Sequence, residues 1–122
     1  MTQPQRILII VHAAPYGSER VLSALRLASA LAGHGDATPH LRLFFMSDGV
    51  TTGLAGQAEA TAGGGLQQMI EDLTGQGVPA KLCRTCAVAR GVDKLPLASG
   101  VEIGTLPELA EWTLWADKVI TF

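Results

Sequence analysis

The run Ile7-Leu8-Ile9-Ile10-Val11 constrains the fold of this chain more than any other stretch. Every position is apolar and all but Leu8 are β-branched, so a strand here needs cover on both faces. Strands of that kind belong to parallel sheets, whose crossover connections lay helices over the faces. The run gives way to His12-Ala13-Ala14-Pro15-Tyr16-Gly17, a loop by its proline and glycine. Ser18 then suits a helix N-cap, with Glu19 in the first turn. Val21, Leu22, Leu25, Ala28 and Ala32 recur at helical spacing until Gly33 and Gly35 stop the helix.

The same alternation continues to the end. Leu41 to Met46 reads as a second strand, followed by Ser47-Asp48-Gly49. Val50 to Gly65, mostly Gly, Ala and Thr, reads as a mobile loop with a weak helical turn near Gln57 to Ala60. A helix over Leu66 to Thr74 carries Leu66, Met69, Ile70 and Leu73 on one face and ends at Gly75 and Gly77. Val78 to Leu82 is a short strand with Pro79 near its start. A short helix after it closes at Gly91, and Asp93 to Gly100 form a loop around Pro96. Val101 to Ile103 make a small strand. Thr105-Leu106-Pro107-Glu108 is a capping box that opens a helix to about Trp115. Asp117 to Phe122 finish as a last strand. The expectation is a single α/β domain over residues 1–122, built on an open parallel sheet of about five strands with helices on both faces.

Composition narrows the partners. At 122 residues, with 48% hydrophobic and 16% charged side chains, the chain has a real core and little charge to cover its surface. That balance points to buried subunit contacts. Aromatic residues make up 5% and the formal net charge is −2, which excludes stacking platforms and a phosphate-backbone partner, so no nucleic acid is expected. The Ile7 to Val11 run is too short for a membrane span and no small-residue cleavage site follows it. A cytoplasmic location is expected, and there two cysteines three residues apart do not serve as a structural staple.

Both cysteines lie in Lys81-Leu82-Cys83-Arg84-Thr85-Cys86-Ala87-Val88-Ala89-Arg90-Gly91, spaced C-x-x-C between a strand and a short helix. A thiol at that junction meets helix N–H groups and a dipole that favour the thiolate, and Arg84 and Arg90 add positive charge nearby. Ligands of open parallel sheets collect beyond the carboxyl ends of the strands. His12, Met46 to Asp48 and Cys83 all follow strand ends, so they are expected on one rim, with Tyr16 and Ser18 lining it. His12 suits proton transfer or anion binding there, or a structural hydrogen bond; Ser18 also serves as a plain cap and Asp48 as a turn former with Gly49.

Four separated motifs resemble one family: Pro15-Tyr16-Gly17-Ser18-Glu19-Arg20, Phe45-Met46-Ser47-Asp48-Gly49, Cys83-Arg84-Thr85-Cys86 with Arg90-Gly91, and Leu109-Ala110-Glu111-Trp112. Their order and spacing are similar to those of the DsrE/DsrF-like family, which includes TusD-type sulfur-relay and YchN-like proteins. The resemblance runs from about Arg6 to Phe122. It implies a three-layer α/β/α sandwich, subunits assembled as trimers or hexamers, and a cysteine that carries sulfur as a persulfide. In relay members that cysteine precedes an Arg-Gly pair by the spacing of Cys83 to Arg90-Gly91, which makes Cys83 the implied sulfur acceptor. Cys86 departs from members with apolar residues after the acceptor, and it adds the option of resolving the persulfide into a disulfide.

The functional expectation is a sulfur carrier, or a sulfurtransferase if it turns over, that takes sulfane sulfur from a donor protein and passes it to an acceptor. No cofactor enters that chemistry. The alternatives are a dithiol redox protein cycling Cys83 and Cys86, or a small-ligand-binding or assembly module in which both thiols are inert and buried. C-x-x-C supplies only two of the four ligands of a zinc site, and His12, His34 and His40 are scattered, so no metal is expected. Gly63-Gly64-Gly65 lacks the Walker pattern and reads as a flexible connector with a weak anion option. Trp112 and Trp115 suit a core or subunit interface.

Overall fold

The computed structural model describes residues 3–35, 38–57 and 65–122. Strand β1 (Arg6–Val11) leads to helix α1 (Arg20–Ala32), strand β2 (His40–Phe45) and a 3-10 turn over Ser47–Gly53. Helix α2 (Leu66–Gly75), strand β3 (Ala80–Cys83) and helix α3 (Arg84–Ala89) follow. A second 3-10 turn (Val92–Lys94), strand β4 (Val101–Gly104), helix α4 (Leu106–Trp115) and strand β5 (Lys118–Thr121) complete the order. The strands form one sheet, β4-β3-β2-β1-β5, and every neighbouring pair is parallel.

This order sets the layers. The first three crossovers step in one direction across the sheet, and right-handed connections therefore put α1, α2 and α3 on one face. The fourth jumps from β4 back past β1 to β5, which carries α4 to the other face. Helices α1 and α2 pack on each other, their buried stripes being Val21, Ala24, Leu25 and Ala28, and Leu66, Ile70 and Leu73. On the opposite face Trp112 of α4 meets Phe44 edge-on, ring centroids 6.0 Å apart. The result is the three-layer α/β/α arrangement. β1 lies inside the sheet, and Leu8 and Ile9 are fully buried, as the unbroken apolar run requires.

Local chemistry explains where elements differ from expectation. β3 begins at Ala80 and not at Val78, because Pro79 has no N–H to give a ladder; its carbonyl still accepts from the Leu43 N–H at 2.8 Å. Helix α1 begins at Arg20, and its N-cap is Glu19 and not Ser18. Glu19 sits at φ −94°, ψ 10°, so the helix is entered from a turn and Ser18 falls one residue early. The Ser18 hydroxyl accepts only a long bond, 3.4 Å, from the Arg20 N–H.

The stretch expected as a mobile loop from Val50 is, in its first part, tightly held. Gly49, Val50, Thr52 and Gly53 are buried in the 3-10 turn. A Cβ on Gly49 would lie 2.5 Å from the Val11 carbonyl oxygen, so only glycine lets this turn sit against the end of β1. Gly53 accepts from the Ala98 N–H at 2.8 Å, and Leu54 bridges Leu97. The turn expected near Gln57 to Ala60, and Gly63 and Gly64, lie outside the described residues beyond Gln57. The capping box at Thr105 forms as expected: its hydroxyl accepts from the Glu108 N–H and the Glu108 carboxylate accepts from the Thr105 N–H. Among the described residues no helix is long and apolar enough to cross a membrane.

Candidate functional site

Cys83 is both the last residue of β3 and the N-cap of α3, at φ −57°, ψ 121°. A β-strand running straight into a helix turns its final side chain toward the first free N–H groups of that helix. The backbone N–H groups of Cys86 and Thr85 favour the Cys83 anion, although the side chain makes no cap hydrogen bond to the helix. Cys83 is nevertheless 5% exposed, and the larger effect is the cost of burying charge, which pushes its thiol above the ordinary value. The nearby Cys86 thiol adds to the rise. The expectation of a favoured thiolate is therefore corrected: burial outweighs the helix N–H groups and disfavours the Cys83 thiolate. Both cysteines are free, and Cys86, one turn into α3, is half-buried.

Arg90 fixes this short helix to the rest of the rim. Its Nε donates to Asp48 Oδ1 at 3.0 Å, its Nη2 lies 3.0 Å from the same oxygen, and its Nη1 donates to the Cys86 carbonyl at 3.1 Å. Asp48 belongs to the turn after β2, and the N–H of its neighbour Gly49 donates to the His12 carbonyl at 3.2 Å. The ends of β1 and β2 and the helix after β3 are thus joined by one chain of bonds. At the start of that turn Ser47 holds φ 51°, a left-handed conformation uncommon outside glycine. Strain of this kind persists only where the surroundings impose it.

The sequence-derived residues divide. Arg90 joins Asp48 to the main chain of Cys86, and Cys83 caps the same short helix. His12 takes part through its backbone; its side chain is exposed, as are those of Tyr16 and Ser18. Among the described residues no hydrogen bond ties Tyr16, Ser18 or Arg84 to the thiols, and Arg84 is exposed. Arg90, expected from the sequence to add positive charge near the thiols and to form half of the Arg-Gly pair, instead bridges Asp48 and the Cys86 carbonyl. Among the described residues no three His, Cys, Asp or Glu side chains gather as metal ligands.

A parallel sheet whose carboxyl rim presents a strand-end thiol and a second thiol one helical turn later defines a small α/β thiol protein. The chain belongs to the DsrE/DsrF-like family, whose model it matches over residues 5–122. Protein YchN of Escherichia coli (strain K12) is 57% identical over 118 residues, covering 97% of this chain and 99% of that protein. The crystal structure of YchN from E. coli superposes with a TM-score of 0.90 over 97% of this chain and 99% of that one. A protein from Vibrio vulnificus (strain CMCP6) named a sulfurtransferase TusD homolog is 31% identical over 129 aligned residues, covering 96% of this chain and 97% of that protein.

Proposed function

We propose that the protein accepts sulfane sulfur as a persulfide on Cys83 and passes it to a partner thiol. The observation that carries this reading is the setting of Cys83, a buried thiol at the junction of β3 and α3 with the Cys86 thiol one helical turn on. A persulfide extends the side chain by one atom and ionises more readily than a thiol, so it suits a site that offers N–H donors but resists a bare thiolate. Membership of the DsrE/DsrF-like family, and the sulfurtransferase name of the Vibrio vulnificus relative, support the same chemistry.

The steps balance without a cofactor. The Cys83 thiolate attacks the outer sulfur of a donor persulfide; the donor S–S bond breaks, a new one forms on Cys83, and the donor leaves as thiolate. An acceptor thiolate then attacks the outer sulfur of the Cys83 persulfide and returns Cys83 as thiolate. Cys86 has two options. Attack on the outer sulfur moves the persulfide to Cys86; attack on the inner sulfur releases hydrosulfide and leaves a Cys83–Cys86 disulfide. Donor and acceptor are proteins on this reading, the assembly is a homo-oligomer of three or six subunits, and the setting is the cytoplasm. The protein is an enzyme, a sulfurtransferase, where it completes the cycle repeatedly.

Intact mass and peptide mapping after exposure to a persulfide donor test the proposal. One sulfur retained on Cys83, lost in Cys83→Ser and kept in Cys86→Ser, is the expected result. Sulfur on Cys86 alone would exchange the roles. A second reading, a dithiol redox protein, draws on the closeness of the two thiols; loss of two hydrogens with no sulfur gain would select it. Unchanged mass in every case would end both.

A further inference from the structure

At the opposite end of the strands from Cys83, a cavity of about 520 Å³ opens among the strand starts. It arises because β2 outruns its neighbour. β1 pairs with β2 from His40 onward, whereas β3 pairs only from Leu43, so His40, Leu41 and Arg42 have a strand on one side alone. The His40 N–H donates toward β1, to Gln5, and the Leu43 N–H toward β3, to Pro79, both at 2.8 Å. The alternation of a parallel ladder then turns the Leu41 N–H to the open side. Arg6, His40, Arg42, Gln76, Thr38 and Trp115 line the space.

Arg42 gives this cavity its character. Its guanidinium lies 3.9 Å from the Trp115 ring centroid and 5.3 Å from that of Trp112, so aromatic faces hold the group in place. It is half-buried, and burial lowers its pKa from the ordinary value. Among the described residues no carboxylate pairs with it, and its N–H donors find no acceptor. Arg6 in the same wall is already neutralised by Asp117 at 3.1 Å. An arginine held by stacking, with no acceptor for its donors among the described residues, in the lining of one cavity with a histidine and the overhanging end of β2, is a receptor for an oxyanion.

We propose that this cavity binds a small oxyanion of the phosphate or sulfate class, held by Arg42 with His40 and the Leu41 N–H. The site is separate from the thiol rim and does not depend on the sulfur reading.

The chain has two tryptophans, and both contact Arg42, so intrinsic fluorescence reports on the site directly. The experiment titrates the full chain with inorganic phosphate, and in parallel with sulfate and acetate, at ionic strength held constant with chloride. A saturable change is expected, weakened about tenfold in Arg42→Gln, as loss of a charge-assisted pair predicts. His40→Gln, at an exposed position, provides a second variant that keeps the stack. Saturation by phosphate and sulfate but not acetate fits the class; preference for acetate would overturn it in favour of a carboxylate site. A response that chloride reproduces, or that both variants leave intact, would overturn the site altogether. So would a mass decrease in the native oligomer on Arg42→Gln without any anion response, which would assign Arg42 to a contact between copies. Cys83→Ser should leave the titration unchanged while abolishing sulfur loading, so the two proposals fail separately.

Discussion

At the scale of single residues the thiol at Cys83 is governed by competing effects, and the larger of them is burial. Because its folded value is raised, the protonated form contributes stability that is complete below the ordinary thiol range and is lost as pH rises through the folded value. Denaturant titrations at rising alkaline pH should therefore show wild type losing stability relative to Cys83→Ala. Alkylation of Cys83 with iodoacetamide should keep rising with pH beyond the point where an ordinary thiol levels off. A rate that plateaus near neutrality would mean that the N–H groups outweigh desolvation. Gly49 offers a second residue-scale test: the 2.5 Å approach of a Cβ to the Val11 carbonyl is met by main chain, which cannot swing away. Gly49→Ala should cost about 1–3 kcal/mol in urea unfolding, the usual toll of overpacking.

Among the elements, α3 is the one that positions chemistry and the one least able to hold itself. Six residues are too few for a stable helix alone, and only Ala87 of them is buried. Its placement rests on Arg90, through Asp48 and the Cys86 carbonyl. Arg90→Ala should raise amide exchange across Arg84–Ala89 and slow sulfur loading of Cys83, with the midpoint of global unfolding moving by less than about 1 kcal/mol. Arg90→Lys should recover only part, since one ammonium cannot reach both acceptors. Helix α4 is anchored differently. Lys81 bonds the Glu108 carboxylate and, with the Thr105 N–H, holds it below the usual range. Arg6 does the same for Asp117. Both carboxylates contribute stability above their ordinary values that is lost as pH falls through the depressed ones, so Glu108→Gln should flatten the acid limb of unfolding.

What the sequence disclosed about these elements follows the range of the interactions. β1, the capping box at Thr105 and the stop at Gly91 (φ 69°) were legible because their causes lie within a few residues. The start of α1 was misread because the turn conformation of Glu19 is set by the loop before it. Arg90 and Asp48 are 42 positions apart and meet only once the topology exists. The burial that raises the Cys83 thiol, and the overhang of β2 that makes the amino-end cavity, are likewise products of assembly.

For the whole molecule, α4 is the one helix on its face among the described residues. Outward from its buried residues Leu109 and Trp112, Leu114 is 87% exposed and Leu106 60%, and Val119 on edge strand β5 is 42% exposed. A trimer or hexamer that buries this surface agrees with the homo-oligomer proposal. Light scattering coupled to size exclusion should give three or six subunits for wild type and a smaller species for Leu114→Glu. An unchanged mass in the variant would move the interface elsewhere.

The pairing of β1 with β5 has a consequence for the order of folding. β1 through β4 can add to the sheet one neighbour at a time as the chain emerges, but β5 must close a loop that brings Asp117 back to Arg6, 111 positions away. Until it docks, β1 shows an open, apolar edge to any other strand nearby. The last step of folding is thus also the one that protects the nascent chain from its own copies, and conditions that delay it should favour aggregates seeded at β1.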